Sequence, residues 1–235
     1  MHTDTCTLES VTVHGDGVVE LATFTRCSLT EKQLKRTAGL SLGEVLNEIP
    51  DIITYQTGLS IIKIIIHGLH SNRVLIMNND LRQEGQQWGS EHAPEIDPFL
   101  SNKITVIKGA AGVRYGSDVV AGVILVEPRE LPKVAGVTGE AYLAGFSNNG
   151  MVVGSAIIEG NHKIMPALSW RIQGTFKQAG DSRTPDYVLS NTAFDERNFS
   201  YIIAYRKEKW GVEVYCSQFN TKLGILLNSQ LRKSN

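Results

Sequence analysis

Glu91 and His92 stand side by side in the run Ser90-Glu91-His92-Ala93-Pro94-Glu95-Ile96-Asp97-Pro98, the most chemically suggestive stretch of this 235-residue sequence. A carboxylate oxygen beside an imidazole nitrogen is a donor pair that suits Zn2+ or Cu2+. Two donors do not close a coordination sphere, so a metal reading needs further ligands from elsewhere. A plainer role also fits, in which His92 and Asp97 hydrogen-bond the loop backbone. His67 and His70 are three apart, a spacing that brings two ligands together on a helix. Their surroundings read as a strand entering a turn, where that spacing sends side chains to opposite faces, so hydrogen-bonded neutral imidazoles are expected. The glycine-rich run 109–116 lacks the Gly-Lys-Ser/Thr ending of a phosphate loop, and tight turns explain its glycines. Ser90 and His92 share one loop without a GxSxG elbow. No catalytic constellation is defensible, and the chain is not expected to be an enzyme. Cys6, Cys27 and Cys216 are odd in number and widely spaced, giving neither a disulfide framework nor a CxxC pair.

The frame that must hold these residues falls into two parts. With 42% hydrophobic and 20% charged residues the chain can bury a sizeable core and is not of disordered composition. Lys and Arg number 23 against 24 Asp and Glu, so the basic excess typical of nucleic-acid binders is absent and no nucleic-acid partner is expected. No run approaches the ~18 apolar residues of a membrane helix; the most apolar stretch, 61–69, is broken by Lys63 and His67. The opening residues MHTDTCTLES lack the basic and apolar regions of a signal peptide. Up to about Pro128, helical and strand signals mix. A β-branched segment at 9–13 precedes the turn Gly15-Asp16-Gly17. Ser28 or Thr30 can cap a helix carrying Leu34, and Ser41 can cap a second carrying Leu42, Val45, Leu46 and Ile49, which Pro50 ends. Strands are expected at 52–56, 63–67 and 73–77, the last closing on Asn78-Asn79-Asp80. A polar loop follows over 82–98, then strands at 104–108 and 119–126 around the glycine run. This is an α+β unit with a mixed sheet.

Beyond Gly139 only strand signals remain. Leu168, Trp170, Ile172, Gly174 and Phe176 alternate with Ser169, Arg171, Gln173, Thr175 and Lys177, a period of two with one apolar and one polar face. Similar segments lie at 139–147, 152–159, 199–206 and 211–219, about five strands in all. Aromatic residues such as Tyr142, Trp170, Tyr205 and Trp210 sit near segment ends. Lys207-Glu208-Lys209 is a tight turn, whereas 178–198 reads as a long polar loop. Alternating strands of ~9–11 residues with aromatic ends and one-sided long loops match an outer-membrane barrel wall. A soluble antiparallel sheet with one wet face would show the same alternation. The two differ in whether Trp170, Ile172 and Phe176 face a covered core or an uncovered exterior.

Several blocks of the first part resemble the plug domain of TonB-dependent outer-membrane receptors. They are LGEVLNEIP at 42–50, His67-Gly68-Leu69 with Arg73-Val74-Leu75-Ile76, and above all ITVIKGAAGVRYGSDVVAGVILV at 104–126. The resemblance covers roughly residues 8–130. Asp51 and Asp80 stand where the family usually has Gly, His67 where it has Arg, and Ala121 where it has Gly; Asp tolerates left-handed turns. Gly116 and Gly122 are expected to resist larger residues for packing reasons.

The resemblance implies residues 1–14 as a TonB-box-like segment, 15–130 as a plug, and 131–235 as the opening strands of a transmembrane β-barrel of about 22 strands. Closure of such a barrel needs at least ~8 strands, so the resemblance predicts a truncated or fragmentary receptor whose signal peptide is not in this chain. It places the protein in the outer membrane with a periplasmic N-terminus. Its implied partners are the membrane lipid, a small ligand, and a TonB-type energy-coupling protein that contacts Leu8, Glu9, Ser10, Val11, Thr12 and Val13. An extended β-branched segment of this kind can add to a partner's sheet edge, although it also reads as a plain first strand. Ligand binding falls to Arg82, Glu84, Gln87 and Trp88 together with the loop at 178–198. The stretch around Glu91 and His92 resembles the Asp-His-Ala…Ile-Asp-Pro segment of zinc and copper receptors. No resident cofactor is called for, and Zn or Cu would be cargo. The implied function is uptake of a scarce nutrient such as a metal ion, siderophore or haem. The alternative is a standalone plug-like periplasmic or surface module that binds ligand or signals without transport.

Overall fold

The computed structural model describes residues 26–56, 61–84, 92–116, 119–224 and 231–233. β1 (Arg26–Leu29) leads into α1 (Glu31–Arg36) and α2 (Leu42–Leu46), and both helices begin where local chemistry offers a cap. Thr30, rather than Ser28, precedes α1 and donates its backbone N–H to Gln33 Oε1 at 3.0 Å. The Ser41 backbone N–H donates to Glu44 Oε2 at 2.8 Å while the Glu44 N–H donates to Ser41 Oγ at 3.4 Å, a reciprocal capping box. α2 stops at Leu46, short of the expected Ile49, which stays buried in the following turn.

β2 (Ile52–Gln56) and β3 (Ile62–Ile66) form an antiparallel pair. β4 (Val74–Asn78), β5 (Leu81–Gln83), β6 (Ser101–Lys108) and β7 (Gly122–Pro128) join β1 in a five-stranded sheet of order β1-β6-β7-β4-β5. Within it only β4 and β7 run parallel, so the sheet is mixed, as expected. Leu42, Val45 and Leu46 of α2 pack on Ile66, Ile76, Ile104 and Ile124 to make the main core. On the other face Leu75, Ile107 and Val123 meet Ala111 and Val119 around the 3-10 turns at 109–115. Asp51 (φ 63°) and Asp80 (φ 59°) adopt the left-handed turn conformations that their side chains tolerate. The two singled-out glycines differ. A Cβ on Gly122 would lie 2.6 Å from Ile107 O, a close approach only Gly allows. A Cβ on Gly116 would meet nothing nearer than 3.7 Å, so packing does not constrain that position.

The second part is a meander. β8 (Gly136–Phe146), β9 (Met151–Asn161) and β10 (Leu168–Ala179) are followed by the short β11 (Ser182–Arg183) and β12 (Tyr187–Leu189), then β13 (Phe194–Arg206), β14 (Gly211–Leu223) and β15 (Leu231–Lys233). The five long strands pair antiparallel in the order β14-β13-β10-β9-β8, an open sheet among the described residues. The connection expected over 178–198 is shorter than the sequence suggested, because the alternation carries β10 to Ala179 and starts β13 at Phe194. Within it, β12 pairs with both β11 and β15.

Which face is covered decides what kind of sheet this is. On β10, Arg171 and Gln173 are each 2% exposed, and Ser169, Thr175 and Lys177 are buried with them. Ile172 is 47% exposed, and its outward neighbours Phe176 and Ile203 are similarly open. On β13, Glu196, Asn198 and Ser200 point inward while Phe199 points out. The polar face lies against the first unit and the apolar face is uncovered, the reverse of a water-soluble sheet and the arrangement of a lipid-facing wall. Outward positions become polar at Arg197 on β13 and at Gln218 and Asn220 on β14, which limits the apolar band at the end carrying the longer connection.

Ile172→Arg places a cation within this band. It is expected to weaken partition of the chain into phospholipid vesicles by ~2–4 kcal/mol, measured by vesicle flotation across a lipid titration. Unchanged partition would contradict a lipid-facing assignment.

Candidate functional site

The seam between the first unit and the second sheet is where buried polar chemistry gathers. Asp97 ends the polar loop and caps the 3-10 turn at 98–100, accepting the Phe99 N–H at 3.1 Å on Oδ1. Its Oδ2 accepts from Gln173 Nε2 at 3.0 Å across the seam. The backbone role open to Asp97 in the sequence is therefore real, and the second oxygen ties the loop to the wall. Tyr142 Oη donates to Ala38 O at 3.0 Å, and Asn78 Nδ2 donates to Tyr215 Oη at 3.4 Å.

Lys177, Glu196 and Thr221 occupy one rung across β10, β13 and β14. Lys177 Nζ lies 3.2 Å from Glu196 Oε1, with side chains 3% and 8% exposed. Nζ also donates to Leu40 O at 3.4 Å, and Asn198 Nδ2 donates to Glu196 at 2.7 Å. A buried ion pair of this kind persists only with such supporting hydrogen bonds. Beside it is a cavity of about 420 Å3, lined by His92, Glu95, Lys177, Glu196, Phe219 and Thr221 among others. Thr221 Oγ1 and Asn198 Oδ1 are buried without a hydrogen-bond partner among the described residues. Such atoms leave capacity for a polar ligand or water. The cavity lies at the end of the wall carrying the longer connection, where chain from both units converges.

A second cavity, about 300 Å3, separates α1 from β8 and β9 and is lined by Leu34, Phe99, Ser101 and Tyr142, with Glu31, Lys35, Arg129 and Glu140 also lining it. Lys35 contacts Glu31 at 2.8 Å one helical turn away. That hydrogen bond, with the nearby Arg129 charge, holds the Glu31 carboxyl below its usual range.

The structure brings only some of the expected site residues together. His92 is exposed and lines the larger cavity, whereas Arg82 and Glu84 pair with each other at 3.0 Å near the free edge of the first sheet and line neither cavity. Gln87, Trp88 and Glu91 lie outside the described residues, as do Leu8, Glu9, Ser10, Val11, Thr12 and Val13. Among the described residues no three His, Cys, Asp or Glu side chains converge as a metal site. His70 Nδ1 is 2.8 Å from Ser71 Oγ, and His67 sits in the turn with φ 50°. Lys177 was legible only as a polar position of an alternating strand, Glu196 and Asn198 fell in the stretch read as a loop, and Thr221 lay beyond the last expected strand. Nothing in that period says which face is buried.

Residues 20–123 match the family described as the TonB-dependent Receptor Plug Domain. The chain is 32% identical over 100 residues to the vitamin B12 transporter BtuB of Vibrio vulnificus, covering 42% of this chain and 16% of that protein. It is 26% identical over 134 residues to the vitamin B12 transporter BtuB of Photobacterium profundum, covering 56% of this chain and 22% of that protein. Among solved structures, the siderophore receptor PirA from Pseudomonas aeruginosa superposes with a TM-score of 0.63 at 17% identity, over 83% of this chain and 34% of that one. The copper transporter OprC superposes with a TM-score of 0.64 at 19% identity, over 78% of this chain and 28% of that one. At these identities the structural likeness is one of fold. The chain thus spans about a sixth to a fifth of the curated relatives it matches.

Lys177→Met removes the cation from the buried rung and strands Glu196. Breaking such a pair costs ~3–5 kcal/mol, read as a fall in the urea midpoint of the chain in micelles. The double variant Lys177→Met/Glu196→Gln should recover most of the loss. A single variant as stable as the parent would contradict the pairing.

Proposed function

Since residues 20–123 match the TonB-dependent receptor plug family and the strands after them take the fold of such receptors, we propose that this chain is the plug and opening wall of an outer-membrane receptor. The receptor binds a scarce nutrient on its outer side and imports it when a TonB-type partner moves the plug. The observation that carries this reading is the inverted second sheet, with Arg171, Gln173 and Lys177 buried against the plug and Ile172 and Phe176 uncovered. A standalone soluble module would need that apolar face covered, so the inverted sheet favours the wall of a receptor.

Ligand docks in the cavity between the loop 92–96 and the rung of Lys177, Glu196 and Thr221. Relatives named for vitamin B12, a siderophore and copper differ in ligand, and the cavity itself supports a polar one. A divalent cation carried by Glu91 and His92, with the remaining donors supplied by other parts of the receptor, fits the donor chemistry of that loop. Zn2+ is then expected to bind the receptor and to lose its site in Glu91→Ala/His92→Ala, followed by calorimetric titration. Unchanged zinc affinity in the double variant would remove metal as cargo while leaving the receptor reading intact.

Coupling is expected at Leu8 to Val13, where an extended segment adds as a strand to the partner's sheet edge. Proline lacks the N–H such pairing needs. Val11→Pro should therefore abolish binding of the chain to the periplasmic domain of a TonB protein in a pull-down with purified components, and Val11→Ile should retain it. Equal binding by all three forms would overturn the assignment of this segment.

A further inference from the structure

The stretch 129–135 joins β7 of the plug to β8 of the wall; the Arg129 side chain bonds Glu140 of β8 at 2.9 Å, and the linker's carbonyls are held by β10, two strands away from the one it enters. Arg171 on β10 is 2% exposed. Its Nη1 donates to Arg129 O at 2.7 Å and its Nη2 to Glu130 O at 2.8 Å. Nε of the same guanidinium lies 2.7 Å from Glu159 Oε2 on β9. Two residues away, Ser169 Oγ donates to Pro132 O at 2.8 Å and accepts from Asn161 Nδ2 at 2.9 Å. Between these bonds Leu131 is 4% exposed and packs on Ile202 and Ala204 of β13. Three carbonyls and one side chain within four successive residues are thus fixed to the wall. The planar guanidinium serves all three of its acceptors without choosing among rotamers.

Elsewhere among the described residues the plug meets the wall through single hydrogen bonds and an apolar contact, Phe99 against the cluster of Met151, Val153, Ala179 and Phe194. Gln173 reaches Asp97 at 3.0 Å, Tyr142 reaches Ala38 O at 3.0 Å and Lys177 reaches Leu40 O at 3.4 Å. Cavities of about 300 and 420 Å3 open between these points. A displacement started at the N-terminal side meets single hydrogen bonds and the Phe99 contact before it reaches the linker, where several hydrogen bonds, those of Arg171 charge-assisted, must break together.

We propose that Arg171 is a positioning residue that clamps the linker 129–133 to the barrel wall, so that plug displacement ends at Pro128 and leaves the linker seated. Its role in import rests on the receptor reading above. The clamp itself is tested without ligand, partner or transport, so its failure and the failure of that reading are separable.

The chain, with Cys6, Cys27 and Cys216 replaced by alanine, is spin-labelled in pairs at exposed positions and studied in detergent micelles across a urea series. Labels at 133 and 207 report linker against wall, and labels at 35 and 207 report plug against wall. In the parent, the 35–207 distance distribution is expected to broaden at lower urea than the 133–207 distribution. Arg171→Met is expected to lower the 133–207 midpoint by about 1 M urea or more and leave the 35–207 midpoint in place. Arg171→Lys, which cannot reproduce the fork, falls between. Because Arg171→Met also strands Glu159, Arg171→Met/Glu159→Gln serves as the variant that keeps the wall folded and should repeat the selective loss. Simultaneous broadening of both pairs in the parent would overturn the clamp. So would equal falls of both midpoints in either Arg171 variant, which is the mark of general destabilisation.

Discussion

A sheet that turns its polar face inward must find partners for the charges and most of the amides on that face, and the rest of this structure follows from that requirement. Arg171, Gln173, Lys177, Glu196 and Asn198 are shielded from bulk water, where an unpaired charge or amide is costly. Cross-strand partners meet part of the demand, as in Lys177 with Glu196 and Ser155 with Thr175. The plug and the linker meet much of the rest with carbonyls and one carboxylate, at Leu40, Arg129, Glu130, Pro132 and Asp97. The plug therefore does for this wall what water does in an open channel. The apolar exterior is the other half of the same constraint, because hydrocarbon is the solvent that side chains such as Ile172 and Phe199 require.

This division of labour also explains why the two parts are joined unevenly. Polar contacts across a seam can be remade with water when the parts separate, whereas an interdigitated apolar interface would resist separation. The main plug core, around Ile66, Ile76, Ile104 and Ile124, lies within the α+β unit and does not rely on the wall. A plug with its own core can move against a wall to which hydrogen bonds hold it. Apolar packing crosses the seam at Leu131, beside the linker, and at Phe99, which packs on Met151, Val153, Ala179 and Phe194. Capacity for further hydrogen bonds is left at Thr221 Oγ1 and Asn198 Oδ1 at the opposite end, and at Asn161 Oδ1 beside the linker.

Periodicity and caps carried much of the fold into the sequence. Ser41 with Glu44 spells out a capping box, the alternation from Leu168 to Lys177 spells out a strand, and Asp51 and Asp80 announce left-handed turns. The ends of elements were less legible: Ile49 continues the helical spacing but lies beyond the end of α2, and the polar residues 178–198 disguised the start of β13 as loop. For the site, His92 could be singled out by type, whereas Lys177 and Thr221 could not. Their significance comes from being brought into one rung 44 residues apart in sequence and from the plug covering that rung. At Gly116 the resistance to a larger residue rests on the backbone, at φ 157°, rather than on the packing the sequence suggested.

The inverted sheet is tested most directly by scanning accessibility along β10. Single nitroxide labels at positions 169–178 of the chain in lipid bilayers would be relaxed by oxygen, which concentrates in hydrocarbon, or by a water-soluble nickel complex. Oxygen accessibility is expected to peak at 170, 172, 174 and 176 and to fall at 171, 173, 175 and 177. The opposite phase, or no period of two, would contradict a wall that faces lipid with Ile172 and faces the plug with Arg171.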